Sequence, residues 1–447
     1  MIVLSAGFSK VSISPPIGAP LAGFAARQGV CEGIHDDLYA RALVIESNGK
    51  TVAFVSLDVL ALSSEFVNRV RTEIQQRTGI QKNAIMIAST HTHAGPVTIK
   101  TFFNPEGTLD GDYMNSLAKA IEDSVAQAFE KRFPARVGVG SGYVSGIGVN
   151  RRTPDKKPVD EEIGIIKIED ESGKIRAVLL NYACHPTVLG SNNLLATGDF
   201  PYFAVERIEQ AIDSEGFAMF VNGTQGNISM GHSSELSAIG IITPGRTFEN
   251  ASKLGNMLAD AALEALPGIE TKKDTEVGVI SSRVDFPLKD LPEIEETVQT
   301  FREAEEYLAR ISENGASTED LMKAKSQLLY ASITNYYAHE TAPLDGYLPI
   351  ELQAARIGDA MFLAIPAEVF VEIGLELKRQ VRHKTYIVGI ANGYIGYFPT
   401  QAAYPAGGYE VVSSKISPES ESIFYKNVLK LEEQLFTTAA NEAGLIN

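Results

Sequence analysis

Short apolar runs of four to seven residues, each ending on polar or ionisable side chains, recur along the chain and constrain its fold more than any other feature. Runs that brief suit strands buried in a sheet better than core helices. Leu38–Val44 and Thr51–Leu57 flank the turn-like Asn48-Gly49-Lys50, a pattern that predicts a hairpin carrying Asp58 to the end of a buried strand. Phe66, Val67, Val70 and Ile74 then follow helical spacing behind a capping Ser63 or Ser64. Ala84–Ala88 reads as a second buried strand, running into Ser89-Thr-His-Thr-His93. The alternation continues through Ile163–Ile168, Ala177–Tyr182 and Ala218–Val221. It predicts an α/β fold: one large catalytic domain over 1–447, with central mixed β-sheets covered by α-helices.

Residues 290–340 break this rhythm. Glu293–Arg310 carries Ile294, Val298, Phe301, Tyr307 and Leu308 at helical spacing; Ser312-Glu-Asn-Gly315 is a turn, and Thr318 opens a second helix. The expectation is a helical-hairpin insertion within the domain. It is either a plain surface hairpin, a cover for the site, or a surface for self-association. A strand over Ala360–Ile365 and a helix near Val369–Val381 follow, and the Gly- and Tyr-rich stretch 386–412 reads as a loop.

Composition narrows the function. With 44% hydrophobic and 21% charged residues the chain is ordinary globular material. No apolar run approaches the roughly 18 residues of a membrane span, and the opening MIVLSAGFSK lacks the pattern of an export signal. Cys31 and Cys184 are too few for a disulfide framework. A net charge of −17 disfavours phosphate backbones and anionic lipid. A cytoplasmic enzyme with no nucleic-acid partner and no membrane span is expected.

The chemistry-bearing residues cluster behind the strands. In extended backbone the imidazoles of His91 and His93, two residues apart, face one side and could share a site. Alone, a His-x-His is equally well read as polar residues closing a strand. His185 lies in Ala183-Cys-His-Pro-Thr187, again after an apolar strand, where Pro186 favours extended geometry; a hydrogen-bonded core histidine is the plain alternative. Cys184 is one position off in the alternation and faces away. Ser229 ends a small-residue loop, Val221 to Ser229, that is not a nucleophile elbow. Nothing in the sequence assigns a role to nearby His232. Glu368 sits at a strand-to-helix junction, where a helix dipole alone would favour an acid. Tyr394, Tyr397, Tyr404 and Tyr409 crowd one glycine-rich stretch.

Taken together, and in order over nearly the whole chain, these pieces resemble the neutral (non-lysosomal) ceramidase family of zinc-dependent amide hydrolases. The carriers are Gly33-Ile-His-Asp-Asp-Leu-Tyr-Ala-Arg-Ala42 with Asp58, Ser89 to Pro96, Asn150-Arg151, and His185-Pro-Thr187 with Thr197-Gly-Asp199. Further along come Gly226-Asn-Ile-Ser229, Pro366-Ala-Glu368, and Tyr397-Phe-Pro-Thr400 through Tyr409-Glu410. The resemblance implies a zinc ion held by His91, His185, Glu368 and Tyr397. It implies His93 and Tyr409 at the substrate, Arg151 in the active site, and Ser229 at the serine proposed as nucleophile. Where the family has aspartate before that serine this chain has Asn227, and where it has Pro-Asn after it, Met230-Gly231. The Gly-Gly after the His-x-His motif is Val97-Thr98 here. The length leaves no room for the C-terminal immunoglobulin-like domain of full-length ceramidases.

The expected function is a metal-dependent amidohydrolase acting on a small-molecule N-acyl substrate. Zinc-bound water would be the attacking group, His93 the acid/base group, and Arg151 and Tyr409 would face the developing oxyanion. Two alternatives stay open. One keeps the metal site but takes a soluble short N-acyl compound or a carbohydrate. The other is a non-catalytic metal-binding protein, which leaves His93, Arg151 and Tyr409 without a task. A second copy of the chain is the other partner the hairpin could serve.

Overall fold

The computed structural model describes residues 4–104, 109–212 and 215–444. The first half supplies β1 (Ser5–Ser12), β2 (Gly33–Ile34), β3 (Tyr39–Ser47), β4 (Lys50–Leu57), α1 (Ser64–Thr78), β5 (Ile85–Ser89) and α2 (Gly111–Glu130). It continues with β6 (Phe133–Tyr143), β7 (Val149–Asn150), β8 (Glu162–Asp170), β9 (Ile175–Tyr182), β10 (Leu195–Ala196), α3 (Phe200–Ile212) and β11 (Phe217–Asn222). β12 (Ile228–Ser229), α4 (Ser234–Ala238), α5 (Phe248–Ala265), β13 (Val277–Pro287), α6 (Ile294–Glu313) and α7 (Thr318–Thr341) follow. The last stretch holds β14 (Tyr347–Ile357), β15 (Ala360–Ala364), β16 (Glu368–Val369), α8 (Val371–Gln380), β17 (Lys384–Val388), β18 (Tyr397–Phe398), α9 (Tyr409–Val412) and α10 (Ser420–Gly444).

Two sheets stack face to face. An eight-stranded sheet runs β11-β9-β8-β6-β1-β3-β4-β5, and a four-stranded sheet runs β13-β14-β15-β17. The core between them joins alternate residues of both, with Phe54 edge-on to Phe362 at 5.5 Å and Phe362 stacked on Tyr386 at 5.1 Å. α1 and α2 cover part of the outer face of the large sheet, α3 and α5 the rest. α8 and α10 cover the outer face of the small sheet through Leu377, Phe424, Val428 and Leu431. Each such fully buried side chain contributes about 1.5–3 kcal/mol, which explains why the apolar runs are dense and short. The mixed sheets and covering helices are those expected from the sequence.

The hairpin of β3 and β4 forms in register from Ala40↔Leu57 to Ser47↔Lys50 and does carry Asp58 beyond a buried strand. Ser63, not Ser64, caps α1, its Oγ accepting the Phe66 N–H at 3.1 Å. α6 and α7 are inserted between β13 and β14, which pair antiparallel out to Pro287↔Tyr347. The stretch 386–412 departs from its reading as a loop. It holds the end of β17, β18, a 3₁₀ turn at Gln401–Ala406 and α9. Its glycines serve close crossings: at Gly396, φ is +85° and a Cβ would lie 2.9 Å from the Ser413 carbonyl oxygen. No described helix is long and apolar enough to cross a membrane.

Within the two large sheets three adjacent strand pairs are parallel: β4 with β5, β9 with β11, and β15 with β17. Carboxyl ends of parallel strands are where α/β folds gather functional groups. His91, His185 and Glu368 all lie just past such ends.

Candidate active site

The approach of His91 differs from the extended geometry its spacing suggests. After β5 the chain turns back on β4, with Thr90 N–H donating to the Leu57 carbonyl at 2.8 Å and His91 N–H to that of Val59 at 3.1 Å. His91 itself adopts φ +70°, a left-handed conformation that costs a residue with a Cβ about 1–2 kcal/mol. The imidazoles of His91 and His93 therefore meet through a turn rather than along a strand, their centroids 4.8 Å apart and nearly perpendicular.

His185 is placed by β12, whose Ile228 carbonyl accepts the His185 backbone N–H at 3.0 Å. Its Nε2 lies 2.8 Å from Glu368 Oε2, and His91 Nε2 lies 3.5 Å from the same oxygen. Each ring's other nitrogen is committed to backbone: His91 Nδ1 to the Leu60 carbonyl at 2.8 Å, His185 Nδ1 to that of Gln225 at 2.7 Å. A carbonyl can only accept, so both Nδ1 atoms carry the proton and both Nε2 lone pairs face the carboxylate. This is the tautomer and orientation that metal-ligating histidines take from their outer partners. Burial pushes the His185 imidazole down to about 4, reinforced by the Arg151 charge, so the ring is neutral.

Tyr394 donates to Glu368 Oε1 at 2.5 Å and orients the carboxylate. Tyr397 is the register partner of Glu368 across the parallel pair β16 and β18. Its hydroxyl accepts from an Arg151 guanidinium nitrogen at 3.0 Å. Arg151 is itself buried; it donates through Nε to Glu410 at 2.8 Å and reaches the Gly226 carbonyl at 2.9 Å. Despite burial, the neighbouring Tyr397, Glu410 and Glu368 raise its pKa, so it stays charged. Two imidazole nitrogens and a carboxylate oxygen, buried and converging, form a donor set of the kind zinc takes, with the Tyr397 ring 6.4 Å from that of His185. The residues fit a metal on their own geometry.

His93 adjoins this set. The potential ligand atoms of His91, His93 and His185 all lie within 4.8 Å of one another, and neither nitrogen of His93 has a hydrogen-bond partner among the described residues. Burial, followed by the adjacent histidines, lowers its pKa well below the usual value and leaves a neutral imidazole. Tyr409 stands over Tyr397 with ring centroids 5.9 Å apart. Ser229 is not brought to the cluster: its hydroxyl donates to the His232 carbonyl at 3.0 Å, is fully buried, and faces neither of the cavities at the site. Asp58 sits behind the site, accepting the Tyr39 N–H at 2.9 Å, with its carboxyl pushed up to about 6 by burial.

Two cavities meet at the histidines. The larger, about 760 Å³, is lined by His91, Glu368 and Tyr394 at its floor and by Phe66, Phe102 and Met114 farther out. Tyr336, Tyr337 and Glu340 of α7 form part of its wall, so the inserted hairpin is a component of the site rather than a plain surface feature. The smaller, about 40 Å³, lies on the Arg151 side and is lined by His93, His185, Thr187, His232 and Ser233. Sequence reasoning singled out His91, His93, His185, Glu368 and Tyr397. It left Tyr394 unassigned and could not find the Leu60 and Gln225 carbonyls, which have no side-chain signature. His232 carried no motif.

Comparison with known proteins identifies the family. The profile of neutral/alkaline non-lysosomal ceramidases, N-terminal part, matches residues 5–238. The neutral ceramidase of Drosophila melanogaster is 23% identical, the alignment covering 98% of this chain and 75% of that protein. That of Pseudomonas aeruginosa is 24% identical over 92% of this chain and 70% of its own length. The crystal structure of the Pseudomonas aeruginosa enzyme superposes with a TM-score of 0.75 at 20% identity, covering 97% of this chain and 74% of that one. With a family profile matching more than half its residues, this chain belongs to the neutral/alkaline non-lysosomal ceramidase family.

Proposed function

We propose that the chain is a zinc-dependent hydrolase that cleaves the amide bond of an N-acyl substrate, with His91, His185, Glu368 and Tyr397 holding the metal. The observation that carries this reading is the pair of Nε2 lone pairs from His91 and His185 directed at one oxygen of Glu368, with both Nδ1 protons fixed by carbonyls. When bound, zinc supplies a water of lowered pKa and polarises the scissile carbonyl.

The chain's own residues do the rest. His93, neutral and unpartnered, accepts a proton from the attacking water and returns one to the leaving nitrogen. Arg151, charged and fixed by Glu410, directs positive potential toward the oxygen on which charge develops, and Tyr409 closes over it. The apolar walls of the larger cavity accept the acyl chain and exclude water. Ser229 has no part in this scheme, because its hydroxyl is spent on the His232 carbonyl and no base stands against it.

The test is hydrolysis of N-acyl amines from acetyl to palmitoyl by protein stripped with a chelator and reloaded with zinc. Activity restored by zinc is the expected result. Silence across the whole series with metal bound would sink the hydrolase reading.

A further inference from the structure

His232 is buried in the wall of the small chamber, 8% exposed, and its Nε2 has no hydrogen-bond partner among the described residues. Its Nδ1 is 2.6 Å from Thr243 Oγ1, which also accepts the Arg246 Nε–H at 3.3 Å. The Thr243 hydroxyl proton has no other acceptor there, so it points at Nδ1 and leaves Nε2 carrying the imidazole proton. Burial and the Arg246 charge hold the ring neutral, down to about 4. The chamber is therefore presented with an N–H that has nothing to donate to.

The charge around it is unbalanced in one direction. Arg27 is held by the carbonyls of Ala22, His93 and Asn193, and Arg246 by those of Thr187 and Leu189 and by the hydroxyls of Ser237 and Thr243. Neither makes an ion pair among the described residues. Asp199, which faces Arg246 through space, is spent on the backbone N–H groups of Val188, Leu189 and Phe200. Both guanidiniums lie over the ring of Phe24, a chamber wall, at 5.1 and 5.8 Å. Arg151 and Arg152 share one carboxylate, Glu410. Arg27 and Arg246 are half-buried behind the Phe24 wall rather than in the chamber lining, and positive charge without a counter-ion there favours an anion on the other side of that wall.

Size narrows the anion. A volume of about 40 Å³ holds about three water-sized atoms. A carboxylate has three non-hydrogen atoms; a phosphate has five. We propose that the small chamber is a carboxylate subsite, and that the substrate is an N-acyl amino acid whose acyl chain fills the larger cavity while its carboxylate meets His232. This rests on the hydrolase reading above and names its substrate class. In the reaction a C–O bond forms between water and the acyl carbon and the amide C–N bond breaks. The nitrogen takes up the protons, and a fatty acid carboxylate and a free amino acid leave.

The experiment uses zinc-loaded full chain with N-dodecanoylglycine and its neutral isostere N-dodecanoylglycinamide, followed by both hydrolysis and calorimetric binding. The acid is expected to exceed the amide about tenfold or more in kcat/KM and in affinity, the scale of one hydrogen bond to a charged group. His232→Phe, which fills the chamber, and His232→Asn, which preserves its size, are expected to bring both ratios toward one, chiefly through KM. A wild-type ratio near one overturns the subsite, as does a ratio unmoved in variants that keep native circular dichroism and full zinc. Hydrolysis without acid preference sinks the subsite and spares the hydrolase. His232-dependent binding of the acid without turnover of either amide does the reverse.

Discussion

Glu368 and Tyr397 are register partners in the two-residue parallel pair β16 and β18, and this pairing sets two oxygen donors side by side opposite two histidines that arrive from the other sheet. The pair is buried and small, so its position depends on what packs behind it. Glu368 N–H donates to the Gly396 carbonyl and Phe370 N–H to that of Phe398, both at 3.0 Å, extending the ladder at each end. Arg151 locks the arrangement by bonding to Tyr397 and to Glu410 at once.

Tyr397→Phe removes the phenol oxygen and leaves the ring packed beside His185. Arg151 keeps Glu410 and the Gly226 carbonyl, so the fold should hold. Zinc affinity is expected to fall about 10- to 100-fold, as for loss of a supporting donor. Competition against a chromophoric chelator reads this out. Unchanged affinity would remove Tyr397 from the ligand set.

Gly226 approaches the Glu368 strand so closely that a Cβ would sit 2.4 Å from the Glu368 carbonyl oxygen and 2.8 Å from that of Val369. Its own N–H donates to the Val369 carbonyl at 2.8 Å. Gly226→Ala must push β16 away. An overpacking cost of about 1–3 kcal/mol is expected in denaturant unfolding, together with substoichiometric zinc by elemental analysis. Full zinc and native stability would mean that the strand accommodates the methyl group.

Much of this was legible in the sequence because the signals are local. Apolar runs gave the strands, and His91 and His185 each follow one of them. The hairpin of α6 and α7 was readable from its period, whereas its place in the cavity wall depends on where β13 and β14 bring its ends. The turn at His91 was not readable, because its φ is imposed by carbonyls of β4 and the residues after it. Tyr394, Gln225 and His232 act through contacts that only the stacking of two sheets creates, and the partner of Asn227, the Val371 N–H at the start of α8, lies 144 residues away in the chain.

Stability should fall on the acid side through Glu162. Its carboxylate bonds to Lys378 at 2.9 Å, to Lys384, and to the Ser141 hydroxyl at 2.6 Å. Burial opposes ionisation, but Lys378 and the other partners bring its pKa down to about 2 from 4.5. A carboxylate depressed on folding stabilises fully above its unfolded value, and that contribution, about 2–3 kcal/mol, disappears as pH falls from 4.5 toward 2. Glu162→Gln should flatten this limb of the urea-unfolding profile. An unchanged slope between pH 5 and pH 2 would refute it.

Asn227 accepts the Val371 N–H at 2.9 Å at the start of α8 and donates its amide to Glu372 Oε2 at 2.8 Å, while Asn150 donates to the other oxygen of Glu372 at 2.9 Å. The family's aspartate would keep the first bond and lose the second, placing two carboxylates in contact. Amide rather than acid is therefore required here by Glu372, independently of substrate. Asn227→Asp is expected to cost about 1–3 kcal/mol, because two carboxyl groups then meet where an amide donated. Asn227→Asp combined with Glu372→Gln should recover most of the loss, because the amide then sits on the other side of the same hydrogen bond. Denaturant unfolding of the single and the double variant decides it. A double variant no more stable than the single one would show that the departure from the family pattern has another cause.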